Sequence, residues 1–172
     1  MQLGLTIPLQ RFLKIKNLVC GDPVNQQHCW DLHIISLRGR SSLLAVHCVT
    51  RYTFTMFDLS LADWQALPQT FFKGLFESLH SAGITDDEAK QYVQATGEME
   101  LTRTHGRRTI AFLNRAWEDV LGMDITLDPT RQHQPLLDIS VNGLFRRCAG
   151  LDGLGTASER LRNSLHTEGT ER

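Results

Sequence analysis

The stretch LTRTHGRRTIAFLNRAWEDV, Leu101 to Val120, holds the groups best able to do chemistry. Arg103, Arg107 and Arg108 surround the His105-Gly106 pair, and a run with helical spacing follows. Guanidinium forks match phosphate and carboxylate, and the free N–H groups of a helix start already favour anions. That reading makes the stretch an anion seat, with Arg38 and Arg40 of the RGR turn extending the basic surface. The same residues also describe a solvated helix. Arg108 and Arg115 are seven apart and lie near one face, and Glu118 and Asp119 fall within reach of Arg115. Two arginines at a helix start oppose the dipole unless an anion is bound. Arg103 shares a strand face with Met99 and Leu101. An arginine there needs a carboxylate or ligand if it points inward, and none if it lies past the edge of the core.

Other chemistry is sparse. His28, Cys29, His33, His47 and Cys48 are zinc-ligand types, but their spacing fits no zinc module. Cys29 and His33 share a strand face yet stand roughly 13 Å apart. No metal site is therefore expected, and His33 and His47 read as satisfied core or surface histidines, with a small polar site on one sheet face as the alternative. There is no GxSxG, P-loop, HExxH or GxGxxG. The glycine pattern at Gly150–Gly155 follows no strand and is not a dinucleotide fingerprint. Glu98 and Glu100 share a strand face without a third acid or lysine at nuclease spacing. Trp64, Phe71, Phe72, Phe76 and Trp117 fall at helical spacing and read as core rather than as base-stacking platforms. No cofactor is expected, and no catalytic residue is assigned.

The elements that must position these groups follow from periodicity. MQLGLTI alternates with period two, a first strand, and Pro8 opens a short helix. CWDLHIISL, SLLAVHCVT and RYTFTMFDL read as three strands joined by turns too short for a crossover helix, an antiparallel meander. Ser60 with Asp63 caps a helix that Pro68 restarts. Phe72, Leu75, Phe76 and Leu79 carry an amphipathic helix ending near Gly83. Thr85–Glu88 is a capping box, and Gly97 closes its helix. A strand holding Leu101 and Arg103 comes next, then a helix through Ile110, Leu113, Trp117 and Val120 that stops at Gly122. LLDISVNGLFRRC reads as a final strand or extended segment. Strands cluster and then helices cluster, which predicts an α+β fold: a mostly antiparallel sheet with helices on one face. Residues 1–148 are expected to form one domain and 149–172 a disordered tail.

Composition narrows the class. Apolar residues make 41% and charged residues 22% of 172, ordinary for a globular protein. The net charge of −1 names no partner, but its distribution is uneven. Met1–Phe57 carries six Lys/Arg against two acids, Asp58–Glu100 two against eight, and Leu101–Arg115 four arginines and no acid. No stretch approaches a membrane span, no secretory signal is visible, and Cys20, Cys29, Cys48 and Cys148 lack CxxC spacing. These features fit a cytoplasmic protein with reduced thiols.

Four segments carry a family resemblance: LGLTIPLQRFLK, CWDLHIISLRGRSSLLAVHCVT, FFKGLFESLHSAGI and TRTHGRRTIAFLN. Over about Met1 to Val120 the chain resembles a family of bacterial domains catalogued as of unknown function. The resemblance implies no catalytic residue. It directs attention to Thr104, Arg107, Arg108 and Asn114 as the place of a shared role, although Leu113 stands where the family pattern has methionine.

Three functions remain open on these residues. The first is a non-enzymatic binding protein using the arginine surface on nucleic acid or a protein partner. The second is an enzyme on a phosphorylated or carboxylated small molecule, with Arg103, Arg107 and Arg108 as clamp and His105 or His33 moving protons. The third is an immunity or antitoxin-type partner using the acidic helices between Asp58 and Glu100. Composition and spacing leave the oligomeric state undetermined.

Overall fold

Leu3 and Leu5 alternate with Gly4, so β1 (Gln2–Leu5) is buried on its leucine side and leaves a gap on the other. In the computed structural model, which describes residues 1–170 and side chains through 166, β1 lies inside a five-stranded sheet. The sheet order is β4-β3-β2-β1-β5, with β2 at Cys29–Leu37, β3 at Arg40–His47, β4 at Thr53–Met56 and β5 at Glu100–Arg103. The β2–β3–β4 meander is antiparallel as its short turns require. β1, however, pairs parallel with both β2 and β5. The α+β class holds, and the sheet is mixed rather than purely antiparallel. The return from β1 to β2 runs through α1 (Ile7–Leu13), and β5 arrives only after α2 (Leu61–Gln65), α3 (Leu67–Ser81) and α4 (Asp86–Ala95). Such long connections permit parallel pairing.

A second expectation, helices on one face, is corrected. Leu3, Leu5, Trp30, Leu32, Ala45 and Phe54 pack against Leu9 of α1, Phe71 and Leu75 of α3, and Tyr92 of α4. Ile35, Leu37, Leu44 and Val46 on the other face pack against α5 (Arg107–Gly122) and α6 (Pro135–Asn142) through Phe112, Leu113, Leu137 and Val141. β2 and β3 are apolar on both sides, so both faces demand cover. It follows that His33 and His47 do not meet: His33 faces Trp117 of α5, while His47 packs beside Trp30.

The capping boxes appear as read, with Ser60 and Asp63 opening α2 and Thr85 and Glu88 opening α4. The segment from Pro135 differs. It is the helix α6, started by Pro135, with only Arg146–Cys148 extended as β6. Its i,i+4 pair, Asp138 and Asn142, serves the free edge of β4. Thr53 N–H donates to Asn142 Oδ1 at 2.8 Å, and Asn142 Nδ2 donates to Thr53 O at 2.6 Å. Thr55 N–H donates to Asp138 Oδ1 at 3.0 Å. The expected tail is likewise folded over its described part, as β7 (Leu151–Gly155) and α7 (Ala157–Thr170); residues 171 and 172 lie outside the described residues. Thr156 and Glu159 cap α7, and Leu161, fully buried, anchors it to the first core. Among the described residues no helix is long and apolar enough to cross a membrane.

Candidate functional site

Gly4 occupies the middle of three parallel strands, level with Asp31 of β2 and Thr102 of β5. With no side chain there, groups from the two flanking strands meet across β1. The Asp31 carboxylate reaches His105, just past β5: Oδ1 lies 2.7 Å from Nδ1, and the His105 backbone N–H is 3.2 Å from the same oxygen. A Cβ at Gly4 would collide with Asp31 Oδ1 and stand 2.8 Å from His105 Nδ1. Gly21 forms the opposite wall, where a Cβ would lie 2.5 Å from the His105 ring. Cys48 Sγ completes the cluster at 3.5 Å from Nδ1. Gln26 holds the loop by donating to His105 O at 3.0 Å, and Arg108 donates to Gln26 Oε1 at 2.8 Å.

An aspartate, a histidine and a cysteine in contact invite a catalytic reading, but the geometry closes it. In a relay the acid and the nucleophile use different ring nitrogens; here both address Nδ1. The other nitrogen, Nε2, is 3.2 Å from Gln2 Oε1. That oxygen is fixed as an acceptor, because Asp22 N–H donates to it and Gln2 Nε2 donates to Glu100. Nε2 therefore faces an acceptor while Nδ1 is engaged by Asp31, so neither ring nitrogen of His105 is turned toward a substrate. Burial, then Asp31, pushes the Cys48 thiol well above its ordinary range, so it is not a thiolate. The His105 and Asp31 side chains are 0% and 1% exposed.

The same three residues are the described group that could hold a metal, their ligand atoms lying within 4.8 Å of one another. Ligands on one tetrahedral zinc sit about 3.3 Å apart. The 2.7 Å between Oδ1 and Nδ1 is instead hydrogen-bond distance, so these atoms are arranged around a proton.

The residues expected to bind an anion or partner are distributed as follows. His105 is sealed inside, Thr104 is half-buried, and Arg103, Arg107, Arg108 and Asn114 are exposed. Arg103 shares its strand face with Leu101, which packs on the α1 side of the sheet, whereas α5 covers the other. Arg108 is tied through Gln26 to the His105 loop. Arg38 and Arg40 sit at the β2–β3 turn. Arg103 is level with Leu32, and Arg38 lies six residues further, about 20 Å along the strands. Arg38 contacts Asp124 just beyond α5 at 3.6 Å, and Arg40 approaches Asp58 at 4.0 Å. Arg103 lies on the opposite face, so the arginines do not converge on one point, while Arg107 and Arg108 at one end and Arg38 at the other bracket α5. Between them, Ile110, Asn114, Trp117 and Leu121 form a stripe along this 16-residue helix. Its apolar members are 40%, 38% and 49% exposed.

Sequence reasoning missed Asp31, Gly4 and Gln26. The available signal was an aspartate within a largely apolar strand, a placement that demands a partner when buried. Among known proteins, a family model described as a domain of unknown function, DUF6933, matches residues 2–149. No curated protein matches the chain.

Proposed function

We propose that this chain, which belongs to the DUF6933 family of domains of unknown function, is a non-enzymatic binding protein whose contact surface is the outer stripe of α5. The exposed Ile110–Trp117–Leu121 stripe, with Arg107 beside it, carries the reading. An aromatic anchor flanked by arginine is the residue mix that dominates protein–protein binding energy. Arg107 at one end and Arg38 at the other supply a basic rim, which suits a protein partner with an apolar centre and acidic margins. The sealed Asp31–His105–Cys48 cluster supports the same view, since it stiffens the base of α5 and offers no reactive group. The acidic helices α2 to α4 lie on the first-core side and are not part of this surface.

A photo-crosslinking residue in place of Asn114 tests this in the native host. The expected result is a discrete protein adduct that disappears in Arg107→Glu and Trp117→Ala backgrounds. A crosslinker at exposed Lys90 should not give it. The same adducts from both positions, or salt-sensitive binding of oligonucleotides in an anisotropy titration, would overturn the proposal in favour of non-specific or nucleic-acid binding.

A further inference from the structure

On the other flank of α5, Asp119 faces three arginines from three separate elements: Arg51 of the β3–β4 loop, Arg146 of β6 and Arg160 of α7. They surround a recess of about 280 Å³, measured out to open solvent, floored by Ala116, Val141 and Ala157. The charges do not balance. Both oxygens of the single carboxylate are taken: Arg51 Nη2 lies 2.8 Å from Oδ2, and Arg146 Nη2 lies 2.6 Å from Oδ1. Arg160 donates to the backbone oxygens of Arg146 and Gly153 at 2.6 and 3.4 Å, and has no ion pair among the described residues. Among the described residues, three guanidiniums against one carboxylate leave two positive charges around the recess.

A further observation points to a missing partner. Arg146 Nε is buried with no hydrogen-bond acceptor among the described residues, a condition that costs free energy unless a partner arrives. Arg51 is 11% exposed and its Nη2 donates to Asp119. Burial pushes the Arg51 guanidinium down from its ordinary value, and Arg146 adds to that against the pull of Asp119. Like charges held this close favour a counter-charge, although the Arg146 side chain is 40% exposed.

We infer that the recess is an oxyanion site, taking one phosphate or carboxylate group against Arg51 and Arg146 with Arg160 closing its rim. The ligand would be a single such group, free or at the end of a small molecule, seated at the solvent-open mouth of the recess. Arg160 lies beyond residues 2–149, so the third arginine comes from outside the part that matches the family. The site is independent of the α5 stripe.

The test is isothermal calorimetry and thermal shift of the whole chain with inorganic phosphate and with acetate, against chloride at constant ionic strength. Saturable binding of phosphate or acetate, and not of chloride, is expected. Asp119→Asn removes the competing carboxylate and should tighten oxyanion binding by about tenfold or more. A purely structural Asp119 would instead give lower stability and no gain in binding. Arg160→Gln should weaken binding while circular dichroism shows the fold retained. Binding of acetate derivatives alone would identify a carboxylate ligand, and binding of phosphate alone a phosphorylated one. No saturable response in either wild type or Asp119→Asn, or an equal response to chloride, overturns the inference.

Discussion

Replacing Gly4 with alanine reverses a common rule. Glycine in a strand loses more entropy on folding than alanine, so the change ordinarily stabilises by roughly 0.5–1 kcal/mol. Here the new methyl would occupy the position of Asp31 Oδ1 and press on His105 Nδ1. The strand is fully enclosed, so the carboxylate and the ring must part. Parting a buried carboxylate from its hydrogen-bonded imidazole leaves both unsatisfied, at a cost of roughly 3–5 kcal/mol. Set against the entropic gain, a net loss of about 3 kcal/mol is expected. For a chain of this size that is a fall of roughly 6–12 °C in Tm. Urea unfolding followed by tryptophan fluorescence measures it directly. A double-mutant cycle with Asp31→Ala supplies the decisive comparison: once the carboxylate is gone, Gly4→Ala should add little. A neutral or stabilised Gly4→Ala, or additive costs in the cycle, would refute the idea that Gly4 exists to let Asp31 and His105 meet.

Two other expectations concern titration and thiols. Burial holds the Asp138 carboxyl up at about 6, against the opposing His133 hydrogen bond, so the folded chain keeps a proton that the unfolded chain releases. Its contribution to stability therefore falls as pH rises from about 4 to 6. Burial holds His47 down at about 4, so the unfolded chain takes up a proton first as pH drops below its ordinary 6.5, and stability is lost in that direction. Each effect is about 3 kcal/mol and their signs oppose. Wild type should thus show a shallow profile between pH 4 and 6, and Asp138→Asn a clear rise with pH in urea melts; parallel profiles would contradict this. Of the four cysteines only Cys20 is exposed, while burial pushes the thiols of Cys29 (to about 12), Cys48 and Cys148 up. An aromatic disulfide reagent should titrate one fast thiol in the native protein and the rest only on unfolding.

What could be read from the chain depended on how local the governing interaction was. The capping boxes at Ser60 and Thr85 involve residues three apart, and both appear. The meander appears because its turns allow nothing else. The parallel partnership of β1 with β5 joins residues about a hundred apart, and neither strand carries a mark of the other. Both-face cover was legible in principle, since β2 has apolar residues on each side, but its Asp31 and His33 suggested a wet face. Asp138 and Asn142 look like polar interruptions of a strand; they are one helical turn apart because they address a strand edge. The cap at Thr156–Glu159 has the ordinary S/T-x-x-E form and was masked by the polar composition around it. For the site, the arginines drew attention by charge, whereas Gly4, Asp31 and Gln26 matter by register, which only the assembled sheet reveals.

The polar caps on β4 also impose an order in time. The Asp138 and Asn142 side chains that close Thr55 and Thr53 come 83 and 89 residues later in the chain. At 5–20 residues per second, synthesis leaves that edge bare for roughly 4 to 18 seconds after the meander has emerged. Throughout that interval a nascent polypeptide displays unpaired strand groups to every neighbouring chain. Escape from aggregation during birth therefore depends on whatever shields the ribosome exit until helix α6 arrives.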